Sequence, residues 1–389
     1  MAKYKLDELC EFITDGTHQT PEYCEEGGVI FLSSKDVTER KINWDDVKHI
    51  PESLHQKLYK RLSPRLNDIL LAKNGTTGVA AIVDRDRIFD VYVSLAVLRP
   101  LESVCPKYLL YAINSPVANR QFNAGLKGIG VPNLHLGVIR ETVINVAPRD
   151  EQERICEILD KVASVIDSRK VELSAMDGLI KARFVEMFGD VTTGNYKYET
   201  CKLGDVANIG SSHRVFKTEF VEEGIPFYRG TEIGELANGI KPAEPYYISE
   251  EHYNRLAYDD TKPQIGDLLM PSICNKGQVW MVDTDEPFYY KDGRVLCISP
   301  NRQKFNAKYL EYFMRIKTLV EYPKLGSGST FAEFKIFLLK DIDVLIPPRE
   351  LQEQFADFVK QVDKTKAAVQ KSLEETQLLF DSLMQEYFG

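Results

Sequence analysis

The sequence predicts an α+β protein with a pseudo-two-fold internal repeat, in which two mixed α/β globular domains are separated by a pair of long antiparallel helices forming a coiled coil. Three observations favour this fold class. A segment of the first half recurs 200 positions later, and apolar residues at seven-residue spacing follow each copy. Short apolar runs broken by turn residues precede each copy, as is typical of strands in small sheets.

The composition is that of an ordinary globular protein. The chain has 389 residues, of which 43% are hydrophobic and 28% charged. No apolar stretch approaches the roughly 18–20 residues that span a bilayer, and the first residues do not resemble a secretory signal. We therefore expect a cytoplasmic protein that does not associate with membranes.

The cysteine pattern argues against a metal-binding protein, and the net charge at first argues against a nucleic-acid-binding protein. Seven scattered cysteines without zinc-site spacing indicate reduced thiols and no metal site. The net charge of −9 at first argues against nucleic-acid binding, because phosphate contacts need Lys and Arg. Most of that negative charge lies in the two segments predicted as long helices, so the globular domains are close to neutral.

The repeat is clearest around one short motif. The sequence PRDEQE at 148–153 corresponds to PRELQE at 348–353, and both copies continue without a gap to a Phe-Gly pair. Asp150 and Glu153 form a plausible capping box at the start of the first helix. We predict four parts: a first globular domain at 1–149, a helix at 150–189, a second domain at 190–349 and a helix at 350–389.

The two helices are predicted to pair with each other. About 38 residues at 1.5 Å each give a rod of about 57 Å, and a narrow apolar stripe needs a partner. The alternative is that each helix lies on its own domain. The residues assigned to helix pairing and partner docking are Leu159, Ile166, Leu173, Ile180, Val359, Val362, Leu373 and Phe380.

The globular domains carry short strands and a few helices. Apolar runs predict strands at 29–32, 69–71, 79–83, 92–98, 268–270, 279–282 and 295–298, and helices near 106–114 and 307–317.

Two kinds of turn in each domain are candidates for contact with nucleic acid. A polar turn lies at 72–78 and at 271–278, and a glycine-rich turn lies at 127–135 and at 324–331. Their amide, hydroxyl and ammonium groups suit phosphate contact and base-edge hydrogen bonds, although solvated hairpins and structural corners remain alternatives. The candidate contacts, with two basic residues from elsewhere in the second domain, are Lys73, Asn74, Thr76, Thr77, Lys127, Asn133, His135, Arg229, Ser272, Asn275, Lys276, Gln278, Lys291, Ser327 and Ser329.

Catalytic motifs are absent from the sequence. It contains no G-x-x-x-x-G-K-[ST] phosphate loop, no [DN]-P-P-[YF] tetrapeptide, no H-E-x-x-H and no G-x-S-x-G. Two Glu-x-Lys triplets, at 39–41 and 333–335, are what chance gives at this composition. We therefore predict no catalytic residues.

The repeated P-R-x-x-Q-E segment resembles that of the specificity subunit of type I restriction-modification systems. The sequence YKLDEL at 4–9, the runs NDILL at 67–71 and GDLL at 266–269, and the terminal Phe-Gly also fit this family. The resemblance implies two target-recognition domains, each reading one half of a split site in double-stranded DNA, with the helices as a ruler between them.

The resemblance also implies partners that carry the chemistry. Two methyltransferase subunits would dock on the helices and methylate adenine with S-adenosylmethionine, and motor-nuclease subunits using ATP and Mg would join for cleavage. This chain itself would be non-catalytic and hold no cofactor. The middle parts of the two domains agree poorly, which indicates unlike half-sites. The alternative, favoured by the acidic charge, is a protein-interaction scaffold with two globular heads on a coiled-coil rod.

Overall fold

The computed structural model describes residues 2–24, 27–126, 132–258, 261–325 and 332–389. The chain divides into two compact units. Unit 1 comprises residues 1–171 and 370–389, and unit 2 comprises residues 172–369. The divisions fall inside the two long helices, so each helix contributes one part to each unit.

Unit 1 is a mixed α/β domain. Its strands are β1 (Ala2–Lys5), β2 (Cys10–Asp15), β3 (Val29–Leu32), β4 (Val37–Thr38), β5 (Lys41–Ile42), β6 (Lys48–Ile50), β7 (Ile69–Ala72), β8 (Ala80–Ile82), β9 (Phe89–Val91), β10 (Leu95–Pro100) and β11 (Val143–Val146). Its helices are α1 (Glu52–Tyr59), α2 (Pro106–Ile113), α3 (Pro116–Ala124), α4 (Leu136–Glu141) and the first part of α5 (Arg149–Phe188).

The main sheet of unit 1 is antiparallel and has the strand order β2-β10-β7-β8. Strand β7 is buried along its whole length, which explains its uninterrupted apolar sequence. A second sheet, in the order β6-β3-β9, pairs β3 and β9 in parallel. One apolar core lies between the main sheet and the helices, and a second lies between the two sheets.

Unit 2 repeats this plan. Its strands are β12 (Gly189–Asp190), β13 (Asn195–Tyr196), β14 (Thr200–Lys202), β15 (Ala207–Gly210), β16 (Phe220–Val221), β17 (Ile225–Tyr228), β18 (Tyr246–Ile248), β19 (Leu268–Pro271), β20 (Trp280–Met281), β21 (Tyr289–Tyr290), β22 (Val295–Pro300) and β23 (Asp343–Leu345). Its helices are α6 (Gly230–Ala237), α7 (Glu250–Leu256), α8 (Ala307–Glu321), α9 (Ile336–Lys340), the last part of α5 and the first part of α10 (Arg349–Phe388).

The sheets of unit 2 correspond to those of unit 1. The antiparallel sheet β15-β22-β19-β20 matches β2-β10-β7-β8, and the parallel pair of β17 and β21 matches that of β3 and β9. The α+β fold class and the internal repeat predicted from the sequence are therefore confirmed.

In each unit the two helix segments run antiparallel. In unit 1 the side-chain amide of Asn145, in the strand before α5, donates to the carbonyl of Gly389, just after α10, at 3.2 Å. Ile166 on α5 and Phe380 on α10 line one cavity. In unit 2 the rings of Phe188 and Phe355 lie 5.6 Å apart, and Lys366 Nζ lies 2.5 Å from Asp177 Oδ1. The start of one helix therefore packs beside the end of the other.

The repeated motif at the start of each long helix has a structural role. Gln152 Oε1 accepts from the amide of Cys105 at 2.9 Å, and its Nε2 donates to the carbonyl of Ala147 at 2.8 Å. Gln352 makes the equivalent bonds to Asn306 and Pro347, both at 2.9 Å. The equal spacing between the Pro and the Gln in both copies thus places a buried amide between the end of the last strand, the start of the long helix and the start of α2 or α8.

The N-D-I-L-L and G-D-L-L runs are also structural. Asp68 accepts two hydrogen bonds from Arg99, at 2.9 and 2.8 Å, and Asp267 accepts one from Arg302 at 3.0 Å. Asn67 and Gly266, which precede these aspartates, both have positive φ, 71° and 87°. The backbone geometry explains why Gly or Asn stands there.

The hairpin between β4 and β5 contacts the long helices. Its two loop residues, Glu39 and Arg40, have φ of 50° and 64°, the geometry of a tight type I′ turn. Lys41 Nζ lies 2.7 Å from Asp167 Oδ2 on α5, and the Arg40 guanidinium lies 5.5 Å from the ring centre of Phe380 on α10. The hairpin therefore fastens the helix pair of unit 1 to the sheet.

Two local predictions were wrong. The strand predicted at 92–98 begins only at Leu95, because residues 92–94 form a turn in which the Leu95 amide donates to the Tyr92 carbonyl at 2.9 Å. Asp150 is not a helix cap, since α5 already begins at Arg149. The predicted domain limits at 149, 189 and 349 remain predictions. None of the helices within the described part of the chain is long and apolar enough to cross a bilayer.

Candidate functional site

The structure brings the two predicted turns of unit 1 together. Asn74 in the polar turn forms an isolated antiparallel bridge with Asn133, and the Leu134 amide donates to the Lys73 carbonyl at 2.9 Å. These residues lie beyond the carboxyl end of β7. The sequence predicted both turns as candidates but did not indicate that they touch.

Three further loops reach the same end of the sheets in unit 1. Thr17, which follows β2, forms a bridge with Tyr92 after β9. Ser94 Oγ accepts from the amide of Ser34, just after β3, at 3.0 Å. We call this surface, defined by Thr17, Ser34, Asn74, Thr76 and Asn133, the polar edge of unit 1.

Lys73 does not lie on the surface of this edge, contrary to the prediction. It is only 6% exposed, and its Nζ lies 2.5 Å from Asp15 Oδ2. The carbonyl of Asp15 also accepts from Arg61 at 2.7 Å. Because its charge is balanced in the interior, Lys73 supports the loops from below and is not placed to meet a phosphate.

The polar edge of unit 2 forms in the same way. The carbonyl of Ser272, just after β19, accepts from the Phe334 amide at 2.8 Å, which joins the polar turn to the segment before α9. The Ser272 amide donates to the Arg294 carbonyl at 2.9 Å. Ser211 Oγ, after β15, donates to the carbonyl of Val295 at 2.8 Å. We call the surface defined by Ser211, Arg214, Arg229, Lys291, Arg294 and Lys335 the polar edge of unit 2.

Ser272 is another predicted contact that the structure places in the interior. It is 1% exposed, and both of its backbone groups are used in the bonds just described. Its role is to close the edge and not to present a hydroxyl to a ligand.

The polar edge of unit 2 carries a local excess of positive charge. Asp292 forms ion pairs with both Arg214, at 3.1 Å, and Lys291, at 2.9 Å. Glu333 likewise holds Arg294 and Lys335. Four cations therefore share two carboxylates within this group, which leaves two positive charges unbalanced on an edge of an otherwise acidic protein.

The pKa values of these carboxylates follow from their neighbours. Burial acts to raise the pKa of Asp292, but hydrogen bonds from Lys291 and Arg214 bring it below its ordinary value. The Lys335 hydrogen bond lowers the pKa of Glu333, burial opposes this, and the charge of Arg294 lowers it further. Both groups are therefore anionic at neutral pH, and the excess of two cations persists there.

Arg229 is held within unit 2. Its guanidinium donates to Glu232 and lies 4.5 Å from the ring centre of Tyr246. Burial acts to raise the pKa of Glu232, but the bonds from Arg229 keep it below its usual value. The Arg229 side chain is still 42% exposed, so part of it remains accessible to solvent at the polar edge.

The other predicted contacts are spread over the two edges. Thr76, His135, Asn275 and Lys276 are exposed, and Thr77 and Gln278 are partly buried. Gln278 Oε1 accepts from the amide of Lys276 at 3.0 Å and so shapes that turn. Lys127, Ser327 and Ser329 lie outside the described residues.

Sequence reasoning missed the residues that carry most of the charge. Arg214, Arg294 and Lys335 come from separate loops, and only the strand pairing brings them together. The triplet at 333–335 was the one available signal, and the structure shows its Glu and Lys paired at 2.6 Å. No cluster of potential metal ligands occurs among the residues that the structure describes.

Seven of the eight residues predicted for helix pairing lie in or against the cores of the two units. Leu159 is 0% and Phe380 is 3% exposed in unit 1, and Ile180 is 5% exposed in unit 2. Leu373 is partly buried against the core of unit 1, whereas Leu173 is partly buried but packs outside the described core of unit 2. The remaining predicted residues, all buried, are Ile166, Val359 and Val362.

Other large side chains are also buried on the inward faces of α5 and α10. Phe184 and Phe188 are 0% exposed, and Met384 and Phe388 are 2% exposed. Seven-residue spacing continues from Ile180 to Met187 and from Phe380 to Tyr387, which stand one residue before each terminal Phe. An unsupercoiled helix drifts about 20° per heptad, which moves the buried face to the next residue.

Comparisons with known proteins agree with this architecture. The family model for the type I restriction modification DNA specificity domain matches residues 1–175 and 195–377. A curated relative, the type I restriction enzyme MjaVIII specificity subunit of Methanocaldococcus jannaschii, is 22% identical over 281 residues. That alignment covers 66% of this chain and 63% of the relative, so less than two thirds of the relative is matched.

Two solved structures share the fold. The S subunit of a type I restriction-modification system from M. genitalium has a TM-score of 0.56 at 14% identity, covering 100% of this chain and 96% of that one. A chain from a structure of complex assembly and conformational transition in the type I R-M system has a TM-score of 0.57 at 18% identity, covering 99% and 97%. At these identities the likeness concerns the fold.

Proposed function

Because the chain belongs to the family of type I restriction modification DNA specificity domains, we propose that it is the specificity subunit of such a system and reads a split site in double-stranded DNA. Each unit would read one half-site through its polar edge. The observation that supports this most directly is that the same end of the same sheet carries convergent polar loops in both units.

The two edges differ in chemistry, and this favours unlike half-sites. The edge of unit 2 offers Arg214, Arg294 and Lys335, which are 68%, 58% and 56% exposed and suited to phosphates. The edge of unit 1 offers neutral groups, such as those of Asn74 and Thr76, that suit base-edge hydrogen bonds. We therefore expect unit 2 to contribute more of the salt-dependent affinity.

Partner subunits would supply the catalysis. In this proposal the chain is non-catalytic and binds two methyltransferase subunits, which carry S-adenosylmethionine and methylate adenine. Restriction subunits that use ATP and Mg would join the same assembly. The long helices display exposed apolar side chains suited to such docking: in unit 1, Val171 is 69%, Leu378 is 70% and Leu379 is 51% exposed.

A pair of single substitutions tests the DNA-binding edge. The chain is assembled with its methyltransferase, and binding to cognate and unrelated duplexes is measured over a salt series. Arg294→Ala removes a cation from the polar edge of unit 2, and we expect weaker binding to all sequences and a salt slope reduced by about 1. Lys202→Ala is the control. Lys202 is 44% exposed, but it lies before the start of β15, whereas the polar edge lies beyond the end of that strand.

Equal effects of the two substitutions, or binding that does not depend on salt, would contradict the proposal. An assembly that binds no DNA but still holds partner proteins would support the protein-interaction scaffold.

An exchange of one domain tests the division of the site. Replacing residues 190–349 with the corresponding domain of another family member should change one half of the methylated sequence and leave the other half unchanged. Methylation of the original complete site by the exchanged protein would refute the assignment of one half-site to each unit.

A further inference from the structure

Two cysteines of unit 1 lie in contact. Cys105 immediately precedes α2 and is partly exposed, and Cys156 lies on α5 and is 5% exposed. Their sulfur atoms are 4.0 Å apart. The proposed DNA-binding edge lies elsewhere in the unit, and neither thiol has a role there.

The internal repeat shows what kind of position Cys105 occupies. The Cys105 amide donates to Gln152, as the Asn306 amide donates to Gln352, so the two residues are equivalent. Asn306 caps α8, and its side-chain oxygen accepts from the amides of Lys308 and Tyr309 at 3.0 and 3.3 Å. Cys105 thus places a sulfur where unit 2 places a capping oxygen.

A thiolate is favoured at that position. The hydrogen bond with Cys156 lowers the pKa of Cys105, burial opposes this, and the amides of Tyr108 and Lys107 and the charge of Arg149 lower it further; together they bring it to about 6. The pKa of Cys156 is raised, chiefly by its bond to Cys105 and by burial. One cysteine is therefore a nucleophile at neutral pH, and the other is a protonated neighbour, as in many reactive cysteine pairs.

We propose that Cys105 and Cys156 are a reversible redox pair that forms a disulfide when the protein reacts with hydrogen peroxide. The Cys105 thiolate attacks one peroxide oxygen, the O–O bond breaks, and the leaving hydroxide takes a proton to form water. The Cys156 sulfur then attacks the sulfenic acid, and its proton leaves with the departing hydroxide as a second water. The two thiols lose two electrons and the peroxide gains them, and a dithiol reductant reverses the reaction.

The geometry allows the bond to form with a small movement. A disulfide needs its sulfurs about 2.05 Å apart, so they must approach by about 2 Å. Cys105 stands at the cap and not inside the helix, so its side chain has freedom to turn. The product would link the start of α2 in the globular part of unit 1 to the first turns of α5.

The test is a peptide map of the full chain after mild oxidation. The protein is treated with hydrogen peroxide, free thiols are blocked, and trypsin peptides are analysed without reduction. We expect peptide 88–107 to be joined to peptide 155–161 in most molecules, and the link to disappear on reduction. In Cys156→Ser, dimedone should label Cys105 instead, because no thiol remains to resolve the sulfenic acid.

The rate of alkylation provides an independent measurement. Iodoacetamide should modify Cys105 with a midpoint near pH 6, whereas Cys201, whose pKa is raised by burial, should react only at higher pH. Cys201→Ser is the matched control and should leave the 105–156 link unchanged. The proposal is wrong if the linked peptide is absent while Cys201 is oxidised, or if Cys105 titrates like an ordinary thiol near about 8.5.

Discussion

Replacing Gln352 by Ala tests whether the most specific repeated motif stabilises the fold or binds a partner. Gln352 is 0% exposed, and its amide donates to Lys304 at 3.0 Å and Pro347 at 2.9 Å and accepts from Asn306 at 2.9 Å. The substitution leaves these three backbone groups without their partner inside the protein. We therefore expect a loss of stability in unit 2.

The magnitude follows from the number of bonds. Each hydrogen bond contributes about 1 kcal/mol net, and an unpaired buried group costs about 1–3 kcal/mol, so Gln352→Ala should lower the free energy of unfolding by at least about 3 kcal/mol. Gln152 makes two such bonds, so Gln152→Ala should cost about 1 kcal/mol less. In a unit of about 200 residues, a loss of 3 kcal/mol lowers Tm by about 6–12 °C.

Urea denaturation of the full chain, followed by region-resolved hydrogen exchange, measures this effect. Exchange should accelerate around residues 304–309 in Gln352→Ala and around residue 105 in Gln152→Ala. Glu353→Ala is the control, since its pair with Arg349 is exposed and an i,i+4 pair contributes only about 0.3–0.5 kcal/mol. A loss below about 1 kcal/mol for both glutamine variants, together with weaker partner binding, would refute the structural reading of the motif.

Three further predictions concern the helices and the sheet of unit 1. Leu373→Glu places a charge against the core and should cost about 2 kcal/mol or more by urea denaturation, whereas Leu378→Glu, at a 70% exposed position, should cost under about 0.5 kcal/mol and instead weaken co-purification with the methyltransferase. Arg99→Ala leaves Asp68, 1% exposed, without its cation and should cost about 3–5 kcal/mol in the same measurement. Glu39→Asn suits a φ of 50° better and should raise Tm slightly.

Short-range patterns could be read from the sequence because their cause is local. The long helices begin at Arg149 and Arg349, within a residue of the predicted positions, since a proline and an apolar period mark each start. Asn67 and Gly266 were part of the repeated runs because both stand at a positive φ. In each case the residues that determine the structure lie within a few positions of each other.

The candidate site could not be read in the same way, because its partners are far apart in the chain. From the sequence, Lys73 is expected to be a surface cation. In the structure its ammonium lies 2.5 Å from the carboxylate of Asp15, which is 58 positions earlier in the chain. Arg294 and Glu333 are 39 positions apart and meet because the segments that carry them are both hydrogen-bonded to Ser272, just after β19. The sequence locates polar turns after β7 and β19, but it does not show which of their side chains face solvent.

The distribution of charge links these observations to function. The chain has a net charge of −9, yet four cations share two carboxylates at the polar edge of unit 2. Exposed charges separated by more than about 8–10 Å are largely screened at physiological salt, so a phosphate at that edge experiences the local excess more than the distant acids. At low salt the acidic residues of the rest of the chain act over a longer range and oppose the approach of DNA. Non-specific binding by the chain alone should therefore be weak, and the methyltransferase subunits should supply the remaining phosphate contacts.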